Sequence, residues 1–422
     1  MRIRFYGGRV LSGRPLQPQN AEVWVENDRI SYVGPARPDA PAFDREIDLK
    51  SDLLMPGFKN AHTHSAMTFL RSYADDLPLH DWLNKQVFPM EAKLTGDDVY
   101  HLAKLAILEY LAGGITANFD MYMFTAENAA ASRDMGFRTV LCGCIHDFYN
   151  TPDGLRAMYE EYNKGGLVSC TLGFHAEYTC SESLLKEIAA MAHEYKAPVF
   201  THNSETVTEV EGCVERHGAT PTVYLDRLGM FDYGGGGYHC IFLSEEDKAV
   251  FRDKKLWAVS CPGSNTKLAS GIAPLTDLQQ MGVQLALGTD GPASNNCLDM
   301  FREMFLATGL QKLRCSDAAA MDAQSVLEMA VRGGALAMGL ADCDDIAPGK
   351  KADLAVLDMH RPNMQPENNL VKNIVYSGST SNIRLTMVDG RILYENGVFH
   401  VGEDPEAIYK KANAIIRRMV EE

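Results

Sequence analysis

Leu53-Leu54-Met55-Pro56-Gly57-Phe58-Lys59-Asn60-Ala61-His62-Thr63-His64 runs apolar, breaks at Pro-Gly and then presents two histidines one residue apart. In an extended strand alternate side chains share one side, so both imidazoles project the same way at the end of this run. They make half of a metal site. The spacing alone is weak, because a strand-end histidine is commonly an ordinary hydrogen-bonded residue. It gains weight from His175, His202, His239 and Asp290, which stand at the ends of later apolar runs.

Those runs span 53–62, 115–121, 138–146, 167–176, 198–203, 238–243, 256–261 and 283–289, and stretches of helical period separate them. Eight strand-length runs alternating with helices predict an α/β fold, a (β/α)8 TIM barrel over 57–344. Between the first two runs Val99, Leu102, Ala103, Ala106, Tyr110 and Leu111 share one helical face, Thr95 caps the start three residues before Asp98, and Gly113-Gly114 ends it. Similar helical patterns recur at 181–195 and 322–339. The four glycines Gly234 to Gly237 lack the sequence context of a phosphate loop and are expected to form a flexible lead-in to the sixth strand.

The two ends of the chain are written differently. Segments such as Ala21-Glu22-Val23-Trp24-Val25 and Ile30-Ser31-Tyr32-Val33-Gly34 alternate, and Ala352 to Leu357 and Ile383 to Tyr394 do so again, with Asp389-Gly390 as a hairpin signal. Residues 1–56 and 345–422 are therefore expected to build one small antiparallel β-sandwich outside the barrel, with a helix over 404–421.

Composition narrows the function. Among 422 residues, 56 acidic against 40 basic side chains leave a net charge of −16 with no Lys/Arg cluster, which argues against a nucleic-acid partner. No segment has the length of a membrane span, and the N-terminus lacks the apolar core of a signal peptide, so a soluble cytoplasmic protein without a membrane partner is expected. The ten cysteines show no paired C-x-x-C units; Cys142 and Cys144 read as buried thiols.

In a barrel, residues at the C-terminal ends of different strands converge. Imidazoles with one carboxylate suit a borderline divalent ion such as zinc, with iron(II) or manganese(II) as alternatives, and such an ion turns a water into a nucleophile near neutral pH. Glu205, three residues after His202, is placed either for general acid–base work or as a helix N-terminal carboxylate. His80, His101, His193, His217, His360 and His400 fall in helices, loops or the outer segments and receive no role.

The sequence also resembles the amidohydrolase superfamily, in particular its methylthioadenosine/S-adenosylhomocysteine deaminase group. The resemblance rests on Pro56-Gly57 through His64, Met67-Thr68, Ala74-Asp75-Asp76-Leu77-Pro78-Leu79, Trp82-Leu83, Glu91, Tyr178-Thr179-Cys180-Ser181, Ser264-Asn265, Lys267 to Pro274 and Leu287 to Gly291. It implies that His62, His64, His202 and Asp290 bind one metal, with His239 beside the activated water. Asp290 would take the water's proton and Glu205 would protonate the ring nitrogen and the leaving amine. It further implies Trp82 and Glu91 at the sugar and His175 at the purine, a small nucleoside substrate, release of ammonia, and self-association into a homo-oligomer. A single ion is expected, because the fourth run reads Gly173-Phe174-His175-Ala176-Glu177 without the lysine that relatives with two metals carry.

The departures are specific. Relatives that bind the homocysteine carboxylate have an arginine where this chain has Gly143; Arg156, near a second such position, is the remaining candidate for substrate binding. Without a bidentate guanidinium partner for its carboxylate, S-adenosylhomocysteine ranks behind methylthioadenosine, 5′-deoxyadenosine and adenosine. Glu177, Ser260-Cys261 and Phe242 also replace family residues and are expected to line the pocket, which leaves a guanine, pterin or triazine ring as the alternative substrate. A non-catalytic scaffold is the alternative from another class.

Overall fold

The computed structural model describes residues 1–77 and 79–421; Pro78 of the Ala74 to Leu79 motif, and Glu422, lie outside the described residues. Eight parallel strands follow one another around the centre: β1 (Phe58–Thr63), β2 (Ile115–Asp120), β3 (Arg138–Cys142), β4 (Val168–Ala176), β5 (Val199–Asn203), β6 (Gly235–His239), β7 (Trp257–Ser260) and β8 (Gln284–Leu287). The chain after β8 closes the ring against β1. There the Asp290 N–H donates to the His62 carbonyl at 3.0 Å. The Thr289 N–H donates to Asn60 Oδ1 at 2.8 Å, and Asn60 Nδ2 donates to Thr289 Oγ1 at 2.7 Å. Inside, Ala61, Ala117, Phe119, Val140, Phe200, Tyr238, Val259 and Ala286 fill the barrel as a packed core.

The opening run belongs to two structures. Leu53–Pro56 pairs antiparallel with Leu354–Leu357 in a seven-stranded sheet, and only after Gly57 does the chain enter the barrel as β1. A Cβ on Gly57 would stand 2.1 Å from the Thr116 side chain, so this crossing point has room for glycine alone. The glycine run is likewise strand rather than lead-in: Gly235, Gly236 and Gly237 pair with Val199, Phe200 and Thr201. A Cβ on Gly235 would lie 2.0 Å from the Val199 carbonyl oxygen, and one on Gly236 would lie 2.3 Å from that of Trp257. Close approach of neighbouring strands, not flexibility, calls for these glycines.

Outside the barrel, strands from both chain ends form the seven-stranded sheet and a four-stranded sheet, with Ile3, Phe5, Val23, Leu54, Leu354 and Leu385 in the core between them. The sheets are mixed rather than wholly antiparallel, since Arg2–Tyr6 runs parallel to Arg45–Asp48. Asp389 and Gly390 both take positive φ between Ile383–Val388 and Arg391–Glu395, the primed hairpin turn that Asp-Gly encodes. The helix Gly96–Ala112 carries the full capping box of Thr95 and Asp98. The last helix, Pro405–Glu421, packs on Gly96–Ala112 rather than on the outer sheets. Its Ala412, Ile415 and Met419 join one apolar cluster with Trp82, Val87, Met90 and Leu102. Among the described residues no helix is long and apolar enough to cross a membrane.

Candidate metal centre and cavity

Three of the clustered histidines are aimed by a partner on the inner ring nitrogen. His64 donates from Nδ1 to the Met121 carbonyl, His202 from Nδ1 to the His175 carbonyl at 2.7 Å, and His239 from Nδ1 to Asn265 Oδ1 at 2.8 Å. Nε2 of each ring is thereby left as a lone-pair donor toward the centre. His62 lies between them, fully buried, with its ring stacked on Tyr238 at 3.7 Å. Neither of its ring nitrogens finds a hydrogen-bond partner.

Asp290 arrives from the loop after β8 with φ +60, and His239 ends β6 with φ +67. Few residues other than glycine adopt this region, aspartate and histidine among the more tolerant, and such backbone is retained where surrounding structure holds it. Asp290 Oδ2 accepts from Ser264 Oγ at 2.6 Å and Ser294 Oγ at 2.8 Å, and its Oδ1 accepts from the Gly291 N–H at 2.8 Å. Oδ1 lies 3.1 Å from His64 Nε2 and 3.6 Å from His62 Nε2. Ligand atoms of His62, His64 and Asp290, and likewise of His62, His202 and His239, fall within 4.8 Å of one another.

Electrostatics suits ligation. Burial and the neighbouring imidazoles push the pKa of His62 and His202 well below the usual histidine range, so both are neutral donors. Burial alone would raise the Asp290 pKa, but the surrounding imidazoles of His64, His239 and His62 together outweigh it and hold the carboxylate ionised. Unpartnered buried nitrogens, aimed imidazoles and one anionic oxygen fit a divalent cation.

Glu205 sits beside this cluster, its Oε2 3.8 Å from His239 Nε2 and its Oε1 accepting from Ser270 Oγ at 3.3 Å. The loop that carries it is pinned from below. Glu209, in the helix Val207–His217, accepts from the Ser204 N–H at 2.7 Å and the Glu205 N–H at 2.8 Å. Burial raises the Glu205 pKa, so the carboxyl can hold a proton to deliver.

A cavity of about 450 Å³ opens above the cluster. His64, His202, His239, Glu205 and Asp290 line it, and so do Trp82, Glu91 and His175 from the sequence-derived set. Glu91 is half-buried and accepts from Tyr122 OH at 2.7 Å; desolvation pushes its pKa up to about 6. Arg156 is not brought to the cavity. It lies on the outward face of the helix Pro152–Tyr162 and donates from Nη1 to Glu194 Oε2 at 2.6 Å.

Four expected pocket residues are also absent from the cavity lining. Glu177 is buried in an ion pair with Arg216 and accepts from His217 Nε2 at 3.1 Å. Ser260 and Cys261 are buried at the end of β7 and just past it, and Phe242 packs against the apolar core near Gly271. At Gly143 a Cβ would come within 2.4 Å of the Gly173 carbonyl oxygen, so any side chain there requires a different backbone path.

The wall also holds residues the sequence reading passed over: His146, Phe148, Tyr149 and Tyr122. His146 was legible in principle, because it closes the third apolar run as His62 and His175 close or nearly close theirs. Ser264 and Asn265 stand out in the sequence through the family resemblance, but their roles in holding Asp290 and His239 rest on contacts between segments distant along the chain. Cys142 is buried as expected, Cys144 is half-buried against the cavity, and all ten cysteines are free thiols.

Nitrogen donors and a carboxylate gathered at the C-terminal rim of a (β/α)8 barrel define a metal-dependent hydrolase. The chain belongs to the amidohydrolase family, whose pattern matches residues 53–393. It is 38% identical over 424 residues to a 5-methylthioadenosine/S-adenosylhomocysteine deaminase of Thermoanaerobacter pseudethanolicus, covering 97% of this chain and 98% of that one. The zinc-bound crystal structure of an adenosine deaminase from Xanthomonas campestris superposes with a TM-score of 0.95 at 32% identity, over 100% of this chain and 99% of that one. The zinc complex of atrazine chlorohydrolase from Arthrobacter aurescens shares the fold, with a TM-score of 0.90 at 21% identity over 98% and 100% of the two chains.

Proposed function

We propose that this protein is a cytoplasmic, self-associating hydrolytic deaminase of adenine-type nucleosides, working with one zinc ion. The observation that carries this reading is the convergence of His64, His202, His239, Glu205 and Asp290 on one cavity, beside the buried His62, whose two ring nitrogens lack any hydrogen-bond partner. His62, His64, His202 and Asp290 would hold the cation, which when bound lowers the pKa of a water and makes it nucleophilic.

The protein's own groups then move the protons. As the water oxygen adds to C6 of the purine, Asp290 Oδ1 takes one of its protons and the Glu205 carboxyl gives one to the ring nitrogen N1. His239 Nε2, fixed by Asn265, orients the water. Asp290 then passes its proton to the exocyclic nitrogen while Glu205 recovers one from the new C6 hydroxyl, so the C6–N bond breaks, ammonia leaves and the oxo-purine keeps the proton at N1. His175 contacts the base, and Trp82 and Glu91 hold the sugar, whose hydroxyls donate to the Glu91 carboxylate.

Glu177, Ser260 and Phe242 turn away from the cavity, which removes the reason to favour another ring. The test is ammonia release by zinc-loaded protein from adenosine, 5′-deoxyadenosine, methylthioadenosine, S-adenosylhomocysteine, guanine, pterins and triazines, with His62→Ala as control. Turnover of adenine nucleosides that His62→Ala abolishes is the expected result. Turnover of another ring alone would overturn the nucleoside assignment, and no turnover with no bound metal would favour the scaffold reading.

A further inference from the structure

The reacting carbon and the sugar lie at opposite ends of an adenine nucleoside. A purine that presents C6 to Glu205, His239 and Asp290 therefore directs its 5′ carbon toward the cavity mouth. Three cavity-lining aromatic rings are exposed there: Phe88 at 44%, Tyr178 at 43% and Phe148 at 92%. Half-buried Leu83 and Met123 line the same cavity.

Phe148 sits on a backbone that is held in place. It rides a tight turn in which His146 and Tyr149 exchange backbone hydrogen bonds of 3.2 and 3.0 Å, and the Asp147 N–H donates to the Thr179 carbonyl at 3.1 Å. Asp147 Oδ1 accepts from both the N–H and Oγ of Ser181 at 2.9 Å. Tyr149 OH accepts from the Phe124 N–H at 2.7 Å. A pinned turn that keeps a whole phenyl ring in water at the rim of a cavity presents a preformed apolar contact.

The charge of the lining points the same way. Among the described lining residues none is lysine or arginine, while Glu91, Glu205 and Asp290 are acidic. A carboxylate entering there gives up its hydration without a cationic partner, whereas a thioether or alkyl chain finds aromatic faces.

We propose that Phe148, assisted by Phe88, determines specificity at the 5′ position, selecting a neutral apolar substituent over a hydroxyl and rejecting one that bears a carboxylate. This rests on the deaminase reading above. The experiment measures kcat and KM of metal-loaded wild type, Phe148→Ala and Phe148→Arg on adenosine, 5′-deoxyadenosine, its 5′-methylthio and 5′-butylthio derivatives, and S-adenosylhomocysteine.

In the wild type kcat/KM is expected to rise with apolar length and to be lowest for S-adenosylhomocysteine. Phe148→Ala should cost about tenfold on the alkylthio substrates, through KM, and leave adenosine within about twofold. Phe148→Arg should raise S-adenosylhomocysteine turnover while lowering that of the butylthio substrate. Equal losses on adenosine and alkylthio substrates, or no change in either variant, would overturn the proposal alone. Failure of the wild type to release ammonia from any adenine nucleoside would overturn it together with the deaminase reading.

Discussion

At the scale of single residues, the centre depends on groups one step behind the cluster. Asn265 sets the tautomer of His239, and Ser264 holds the oxygen of Asp290 that faces away from His64. Substitutions of such supporting groups cost about 10- to 100-fold in activity or metal affinity. Asn265→Ala should lower kcat/KM in that range with metal content unchanged, as elemental analysis would check; Ser264→Ala should lower both.

Glu91 makes a pH prediction. Burial disfavours its charged form and brings its pKa to about 6, so it is ionised above that value and protonated below it. The acceptor proposed for the sugar hydroxyls is therefore lost as pH falls through 6, and KM should climb by up to about tenfold per unit below it. Glu91→Gln should raise KM at neutral pH and flatten that dependence, which steady-state kinetics between pH 5 and 8 would show.

Elements matter because they deliver those residues. The short helix Pro262–Lys267 carries both Ser264 and Asn265, and buried Glu303 anchors its start. One Glu303 oxygen accepts from the Gly263 N–H at 2.8 Å and the other from Asn295 Nδ2 at 2.7 Å. Asn295 Nδ2 also donates to the Thr289 carbonyl at 2.6 Å. Glu303→Gln sets an amide donor against a donor, and should cost about 1–3 kcal/mol of stability with a fall in kcat. Unfolding curves and kinetics on the same preparation would check both.

The final helix is a second case. Ile415 and Met419 share the apolar cluster that contains Trp82, and Trp82 is part of the cavity wall. Ile415→Ala should cost about 2–5 kcal/mol in unfolding free energy. Loosening of the Trp82 wall should also raise KM for nucleosides.

Over the whole molecule, a cation bound by residues from β1, β5 and the loop after β8 clasps distant parts of the barrel together. Chelation should abolish activity and lower Tm, with both restored by zinc; a cation present at 100 times its Kd contributes about 2.7 kcal/mol. The net charge of −16 repels anionic ligands and leaves neutral nucleosides untouched. For methylthioadenosine kcat/KM should therefore hardly change between low and moderate salt, which stopped-time ammonia assays would show.

The barrel was legible because eight apolar runs, five of which supply a candidate site residue, need no knowledge of packing to be counted. His62, His64, His175, His202, His239 and Asp290 could be picked out because a parallel barrel brings strand ends together whatever its details. Side-chain direction was not legible at Arg156, Glu177, Ser260 and Phe242, since a helix face or a turn just past a strand can aim a residue either way. Nor could the glycine run be placed, because strand crowding at Gly235 and Gly236 is set by neighbours distant in sequence. The amino-acid sequence by itself determined the fold and the cluster of donors, through period and order along the chain. Only the tertiary structure decided which side chains reach the cavity and how Asp290 and His239 are held, because those depend on contacts between segments that local pattern does not encode.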